Sequence, residues 1–258
     1  MSEESASYTE QAEELFTEYT SQIDWTLSQW GTEETIFICF YAGYFVLNYC
    51  LWNTVIVKPM ALIAVFTHEM CHATACWLTC GKVVGIEVYG NEGGVAKYTG
   101  GCRCLIIPAG YVGGAFWGGA FVALSGNRIG ATVAGSIFTA ALLISLRYSP
   151  NSTVVWLSVG FTVITVAAIL VDWLYFDPFI QYIVLYYGVF IGVYSVRDIY
   201  DDLIVRTAEG SDAVACYNMC PMCLPRCVGV QWGIIGLAFQ FVGLYIALCW
   251  LSSTGIGN

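Results

Sequence analysis

The chain has 258 residues, of which 58% are hydrophobic and only 11% are charged, and its formal net charge is −10 at pH 7. A soluble domain carries about 25% charged residues, so the composition excludes an ordinary soluble protein and indicates a membrane protein. The negative charge is concentrated in residues 1–34, which contain nine acidic residues and no Lys or Arg. Because nucleic-acid binding requires a basic surface, we expect no nucleic-acid partner.

Residues 1–34 form an acidic, amphipathic N-terminal segment. Within it, apolar residues recur at three- and four-residue steps over 8–31, a spacing that predicts an amphipathic helix. Its other face is acidic, and anionic lipid headgroups would repel it. A solvated cap is therefore favoured over a membrane-surface anchor, and a lid or a partner-binding helix is the alternative.

Residues 35–258 contain seven apolar runs of roughly the 20-residue length that a bilayer requires. They span 35–57, 60–80, 104–125, 129–146, 153–171, 178–197 and 229–252. Between the second and third runs, residues 81–103 are Gly-rich with short alternating stretches, which predicts a small β-hairpin insertion. The sequence therefore predicts an all-α polytopic membrane protein with about seven transmembrane helices and a small β insertion.

The placement of Lys and Arg predicts the orientation in the bilayer. With seven spans, most of these residues fall on the side that holds the N-terminus, the 81–103 insertion, the 147–152 loop and the Cys-rich 198–227 loop. Positively charged loops face the cytosol, so we expect these segments to be cytosolic. The protein is then a multi-pass protein of a lipid bilayer, and an endomembrane is favoured.

The second apolar run contains the segment 68–72, HEMCH, and its two histidines are the only ones in the chain. On a helix, residues i and i+4 project from one face, so His68 and His72 can bind one zinc ion. Glu69 is placed to act as a general base toward a water at that ion. Because charged groups inside a membrane are costly, this motif inside an apolar run indicates a functional site.

A catalytic zinc ion has three protein ligands and one open position, so a third ligand must come from another part of the chain. The run 178–197 is followed by Asp198 and Asp202, which share one helical face. Asp198 is the first choice because it lies closest to the apolar run, and Asp202 is the second. Asp172 and Asp177 lie on the predicted opposite side and are weaker candidates.

An HExxH motif in a transmembrane helix resembles the site-2 protease family of intramembrane zinc metalloproteases, in particular its peptidase B-like branch. The resemblance extends over most of 60–215. It also rests on the hairpin-like insertion, the Gly pair at 93–94, and the segments 108–111 (PAGY), 195–202 and 210–213 (GSDA). The resemblance implies His68 and His72 as zinc ligands, Glu69 as catalytic base and Asp198 as third ligand. This chain lacks the Asp-Gly pair in which many family members carry that ligand.

The resemblance implies hydrolysis of a peptide bond in or near a transmembrane segment of a membrane-protein substrate. Such a segment must unwind before cleavage, since a helix uses its carbonyls in its own hydrogen bonds. An edge strand near 83–89 is predicted to hold the unwound segment by strand addition. The alternatives are a catalytically silent scaffold that binds transmembrane partners and, less favoured, a transporter.

Two further patterns have no assigned role. Gly110, Gly114 and Gly118 repeat at four-residue steps, which is typical of close helix packing in lipid and would also suit a helix beside the motif. Four cysteines, Cys216, Cys220, Cys223 and Cys227, lie in the predicted cytosolic loop. Metal binding and lipidation both remain open for them.

Overall fold

The computed structural model describes residues 23, 25–28, 30–52, 54–205 and 210–254. Most of the N-terminal helix predicted over 8–31 lies outside this range. The elements in chain order are α1 (Thr32–Leu51), α2 (Lys58–Leu78), β1 (Lys82–Val88), β2 (Gly94–Thr99), α3 (Arg103–Leu124), α4 (Arg128–Ser145), α5 (Ser152–Leu174), α6 (Phe179–Ile199), a π-helical segment (Tyr200–Val205), α7 (Asp212–Met219) and α8 (Pro225–Thr254).

The predicted polytopic, all-α architecture with a small β insertion is confirmed. Seven long helices correspond to the seven apolar runs, and six of those that the structure describes are long and apolar enough to cross a membrane. The seventh is α2, the helix that carries HEMCH, and it is not among the six. Its polar residues lower its mean hydropathy, and most of its residues are buried among the other helices. The motif helix is thus shielded from lipid by protein.

Helix α3 is the centre of the bundle and packs extensively on α6, α8 and α2. Its glycines allow this close approach. A Cβ at Gly118 would lie 2.5 Å from the backbone N of Gly192 in α6, and a Cβ at Gly114 would lie 2.9 Å from the Ser195 hydroxyl. Both substitutions would force the helices apart, as expected for small residues at a helix interface in lipid. The predicted packing role of this glycine stripe agrees with these contacts.

Strands β1 and β2 form an antiparallel hairpin after α2. The outer edge of β1 is occupied, because the Ile86 N–H donates to the Tyr148 carbonyl (3.1 Å) and the Asn151 side chain donates to the Val88 carbonyl (2.7 Å). The strand predicted near 83–89 is therefore not available for strand addition. Strand β2 forms the opposite edge of the sheet and faces the cavity described below.

At the other end of the bundle, Arg128 joins the start of α4 to the end of α5. Its guanidinium lies 2.6 Å from Asp172 and 3.2 Å from Asp177, and it stacks on the ring of Trp173. The Asp172 side chain is completely buried, and a buried carboxylate requires such a partner. The pairing gives Asp172 and Asp177 a structural role, which agrees with their low rank as ligand candidates.

Candidate metal centre

Helix α2 presents the two histidines on one face, as the spacing predicts. Pro59 lies in its first turn, where a missing N–H costs nothing, and the helix then runs without interruption to Leu78. The Nε2 atoms of His68 and His72 lie 3.0 Å apart. Two imidazole nitrogens this close, both directed to the same point, form half of a metal site.

The carboxylate that meets both histidines is Asp212. Its Oδ2 atom lies 3.2 Å from His68 Nε2 and 3.1 Å from His72 Nε2. Among the residues that the structure describes, these three side chains form the one group of ligand type whose atoms converge closely enough to hold a metal ion. The site therefore has the two-His, one-carboxylate composition of a catalytic zinc centre with an open position.

Helix α7 positions Asp212 in its first turn. The helix is N-capped by Ser211, whose hydroxyl accepts a hydrogen bond from the Val214 N–H. Ala213, the next residue, is completely buried in a hydrophobic cluster that includes Tyr111 of α3 and Trp232 of α8. The cap and this packing fix the direction in which the Asp212 carboxylate points.

Electrostatics keep the Asp212 carboxylate charged. Burial by itself would raise its pKa, but the close contacts with the His68 and His72 imidazoles hold the pKa of Asp212 well below its ordinary value. A carboxylate must be ionised to bind a metal cation, and Asp212 meets this requirement.

Asp198 and Asp202, the two carboxylates ranked first and second from sequence, line the same cavity as the histidines. The helix continues beyond residue 197, as the lack of Gly and Pro there predicts, with a π-helical segment from Tyr200 to Val205. Neither aspartate belongs to the converging group, in which Asp212 occupies the predicted position of Asp198. The sequence signal for Asp212 was present in the GSDA segment at 210–213, but nothing in its spacing linked it to α2.

Contacts from α3 position the two histidines. The Nδ1 atom of His72 lies 2.7 Å from the Ile106 carbonyl oxygen, and this contact directs Nε2 toward Asp212. The ring of Tyr111 meets His68 edge-on at 4.6 Å between centroids. A Cβ at Gly110 would collide with the Nε2 atoms of both histidines. Glycine at this position thus leaves open the space in front of the ligand atoms.

Glu69, the predicted catalytic base, lies beside the ligand group but outside it. The side chain is buried, and it accepts a hydrogen bond from the Ala96 backbone N–H of β2. A Cβ at Gly94 would come within 2.5–2.8 Å of the Glu69 side chain. Gly94, one residue of the predicted Gly pair at 93–94, thus lets β2 approach the motif helix closely.

The histidines open onto a cavity of about 370 Å³ between α2, the hairpin, α6 and α7. The described residues that line it are acidic or uncharged, and none of them is Lys or Arg. Among the described lining residues, the carboxylates are Glu69, Glu92, Asp198, Asp202 and Asp212. Glu92, at the hairpin turn, accepts a hydrogen bond from the Tyr194 hydroxyl of α6 (3.3 Å). The site is therefore a negatively charged pocket that is bordered by one strand edge.

The cysteine cluster after α7 lies outside this cavity. Cys216, Cys220, Cys223 and Cys227 are all free thiols. The Cys223 thiol lies within hydrogen-bonding reach of Cys216 and Cys220, and these contacts raise the pKa of Cys223 to about 11. Metal binding and lipidation both stay predictions for this cluster.

The sequence matches a known protein family. The sequence model of a family described as Peptidase M50B-like matches residues 41–243, which include every element from the motif helix to α7. No curated protein and no solved structure matches the chain. The family match agrees with the resemblance drawn from the HEMCH segment.

Proposed function

The chain belongs to the peptidase M50B-like family, and we propose that it is a zinc metalloendopeptidase that hydrolyses a peptide bond in or near a transmembrane segment of a membrane-protein substrate. The family and the apolar helices identify an integral, multi-pass membrane protein of the metalloprotease type. The observation that supports the assignment of a zinc metalloendopeptidase is the convergence of His68 Nε2, His72 Nε2 and Asp212 Oδ2.

The donor set fits a zinc ion. The three ligand atoms are separated by 3.0–3.2 Å. Two ligands of a tetrahedral zinc ion, each about 2.0–2.1 Å from it, lie roughly 3.3 Å apart, so little movement is needed. Gly110 keeps the adjacent space free of side-chain atoms. We assign the third ligand to Asp212 and place Asp198 on the cavity wall.

Zinc in this position would act as a Lewis acid toward the scissile carbonyl and lower the pKa of a water to about 7. Glu69 accepts the proton of the attacking water and then delivers it to the leaving amine nitrogen. The hydrogen bond from Ala96 N–H orients the Glu69 carboxylate for both transfers. His72 keeps its orientation through the Ile106 carbonyl.

The hairpin supplies a binding edge for an unwound substrate. Strand β2 (Gly94–Thr99) borders the cavity, and its residues Gly94, Val95, Ala96 and Tyr98 line the wall. An extended peptide that pairs with this edge on either side of Ala96, whose N–H donates to Glu69, would lie alongside Glu69, with its carbonyls near the ligand group. This arrangement assigns to β2 the strand-addition role that the sequence suggested for the strand near 83–89.

The charge of the cavity favours substrates with a basic residue close to the scissile bond. Asp212 and Glu69 together balance a divalent cation, and Glu92, Asp198 and Asp202 are the further acidic side chains among the described lining residues. Cytosolic ends of transmembrane segments carry an excess of Lys and Arg. We therefore propose a cut near the basic end of a substrate helix.

The test uses the full chain purified in detergent and a fluorogenic peptide that contains a transmembrane segment with lysines at one end. We expect cleavage that depends on zinc, stops with a chelator and returns when zinc is added. Stoichiometric zinc without cleavage of this peptide or of co-expressed membrane proteins would instead identify the silent scaffold.

A further inference from the structure

Cys102 and Cys104 form a thiol pair at the start of α3. Their sulfur atoms lie 2.8 Å apart, and both thiols are free. Cys104 is exposed and Cys102 is half-buried. Two sulfurs that already touch at an accessible position need little backbone movement to become linked.

The neighbouring thiol activates Cys102, which is the N-cap residue of α3. The Cys104 thiol donates a hydrogen bond to the Cys102 thiol. The hydrogen bond from Cys104 is the largest influence, and despite partial burial the pKa of Cys102 lies below its ordinary value. The Cys102 N–H donates to the Thr79 hydroxyl (3.0 Å), which anchors the N-cap to the end of α2.

A second cavity flanks this pair. It has a volume of about 370 Å³ and is lined by Tyr98, Gly100, Gly101 and Arg103. Arg103, the residue between the two cysteines, is the charged group among the described residues of this lining and lies beside Tyr98. Gly100 and Gly101 have φ values of +74° and +75°, a left-handed conformation that favours glycine and turns the backbone sharply beside the pocket. The pocket is suited to a small molecule with a negative charge.

We propose that Cys102 and Cys104 are a redox-active dithiol that exchanges with a small anionic disulfide of the glutathione type, held by Arg103. The Cys102 thiolate attacks one sulfur of the disulfide, forms a mixed disulfide and releases one thiolate. The Cys104 thiol then loses its proton to solvent and attacks the Cys102 sulfur, closing an intramolecular disulfide and releasing the second thiolate. The protein loses two electrons and two protons, and the small disulfide gains the two electrons.

The position of Arg103 gives a direct test of the ring closure. The full chain in detergent is equilibrated with oxidised and reduced glutathione at a series of ratios, alkylated and digested with trypsin. Trypsin cuts after Lys97, Arg103 and Arg128, so the two cysteines fall on separate peptides, 98–103 and 104–128. We expect these peptides to be linked by a disulfide, in a fraction that rises with the proportion of oxidised glutathione. Full alkylation of both cysteines at every ratio would overturn the proposal, as would linkage of either one to another cysteine instead.

Two variants separate the steps. Cys104→Ser removes the second thiol, and the protein should then retain one glutathione on Cys102, measured by intact mass.

Arg103→Gln should slow the reaction with oxidised glutathione by roughly 3- to 10-fold, because the attraction of an anionic reagent is lost. Its reaction with the neutral hydroxyethyl disulfide should be unchanged, and Arg147→Gln serves as the charge-matched control. Equal slowing with both reagents, or no glutathione on Cys104→Ser, would contradict the assigned roles.

Discussion

The Oδ2 atom of Asp212 lies 3.1 Å from the Nε2 atom of His72. This contact joins the first turn of the short helix α7 to the middle of α2, two elements that are far apart in the chain. The same oxygen also contacts His68. The proposed zinc site thus depends on the fold that returns the chain, after α6, to the motif helix.

Replacing Asp212 tests which carboxylate is the third ligand. Asp212→Asn keeps the size of the side chain but removes its charge, so we expect zinc affinity to fall by at least about 100-fold. Asp198→Asn, in the wall of the same cavity, should retain one zinc per chain. Zinc content is measured by elemental analysis after dialysis against a weak chelator.

The His68→Ala, His72→Ala double variant serves as the reference for complete loss of the site. A variant without the four cysteines at 216–227 shows whether any residual zinc belongs to that cluster. If Asp198→Asn loses zinc and Asp212→Asn retains it, the assignment reverses and Asp198 is the ligand.

Glu69→Gln separates chemistry from metal binding. The amide cannot accept a proton, and loss of a general base typically lowers the rate about 100- to 10,000-fold. Zinc content should stay unchanged, because Glu69 lies outside the converging group. Cleavage of the fluorogenic peptide and zinc content are measured on the same preparation. A variant that cleaves at the parental rate would exclude Glu69 as the base.

Gly110→Ala tests the space in front of the ligands. The added methyl group would collide with the Nε2 atoms of both histidines, so we expect zinc affinity to fall while the helices remain folded. The matched control is Gly160→Ala in α5, where a Cβ meets open space. There the change should raise helix stability slightly, by about 0.5–1 kcal/mol. Equal zinc content in both variants would remove Gly110 from the site.

The sequence predicts the parts of this fold that depend on local pattern. Apolar runs of bilayer length predict the long helices, and the Gly-rich alternating stretch at 81–103 predicts the hairpin. The four-residue spacing predicts that His68 and His72 share a helical face. Each of these features is decided by residues close together in the chain, where periodicity is informative.

The third ligand and the free strand edge depend on contacts between distant segments. Asp198 was favoured because it follows an apolar run, yet it lines the cavity wall. Asp212 reaches the histidines because it begins a separate short helix, α7, that packs on α3. In the same way, the outer edge of β1 is occupied by the α4–α5 connection. Spacing along one chain does not report such tertiary pairings.

The charge of the cavity leads to a prediction about substrate choice. Asp198 and Asp202 line the wall beside the histidines, and the double variant Asp198→Asn, Asp202→Asn removes both charges with little change in shape. An accessible charge pair contributes about 0.2–1 kcal/mol, so KM for a peptide with lysine near the scissile bond should rise roughly 2- to 30-fold. For the matched peptide with glutamine in place of lysine, KM should stay unchanged. The preference of the parent protein for the lysine peptide should also weaken as salt is raised from 50 to 500 mM, because ions screen charges at accessible sites. Zinc content is measured in parallel, since a loss of metal would lower cleavage of both peptides equally. An unchanged ratio between the two peptides in the double variant would show that these aspartates do not select the substrate.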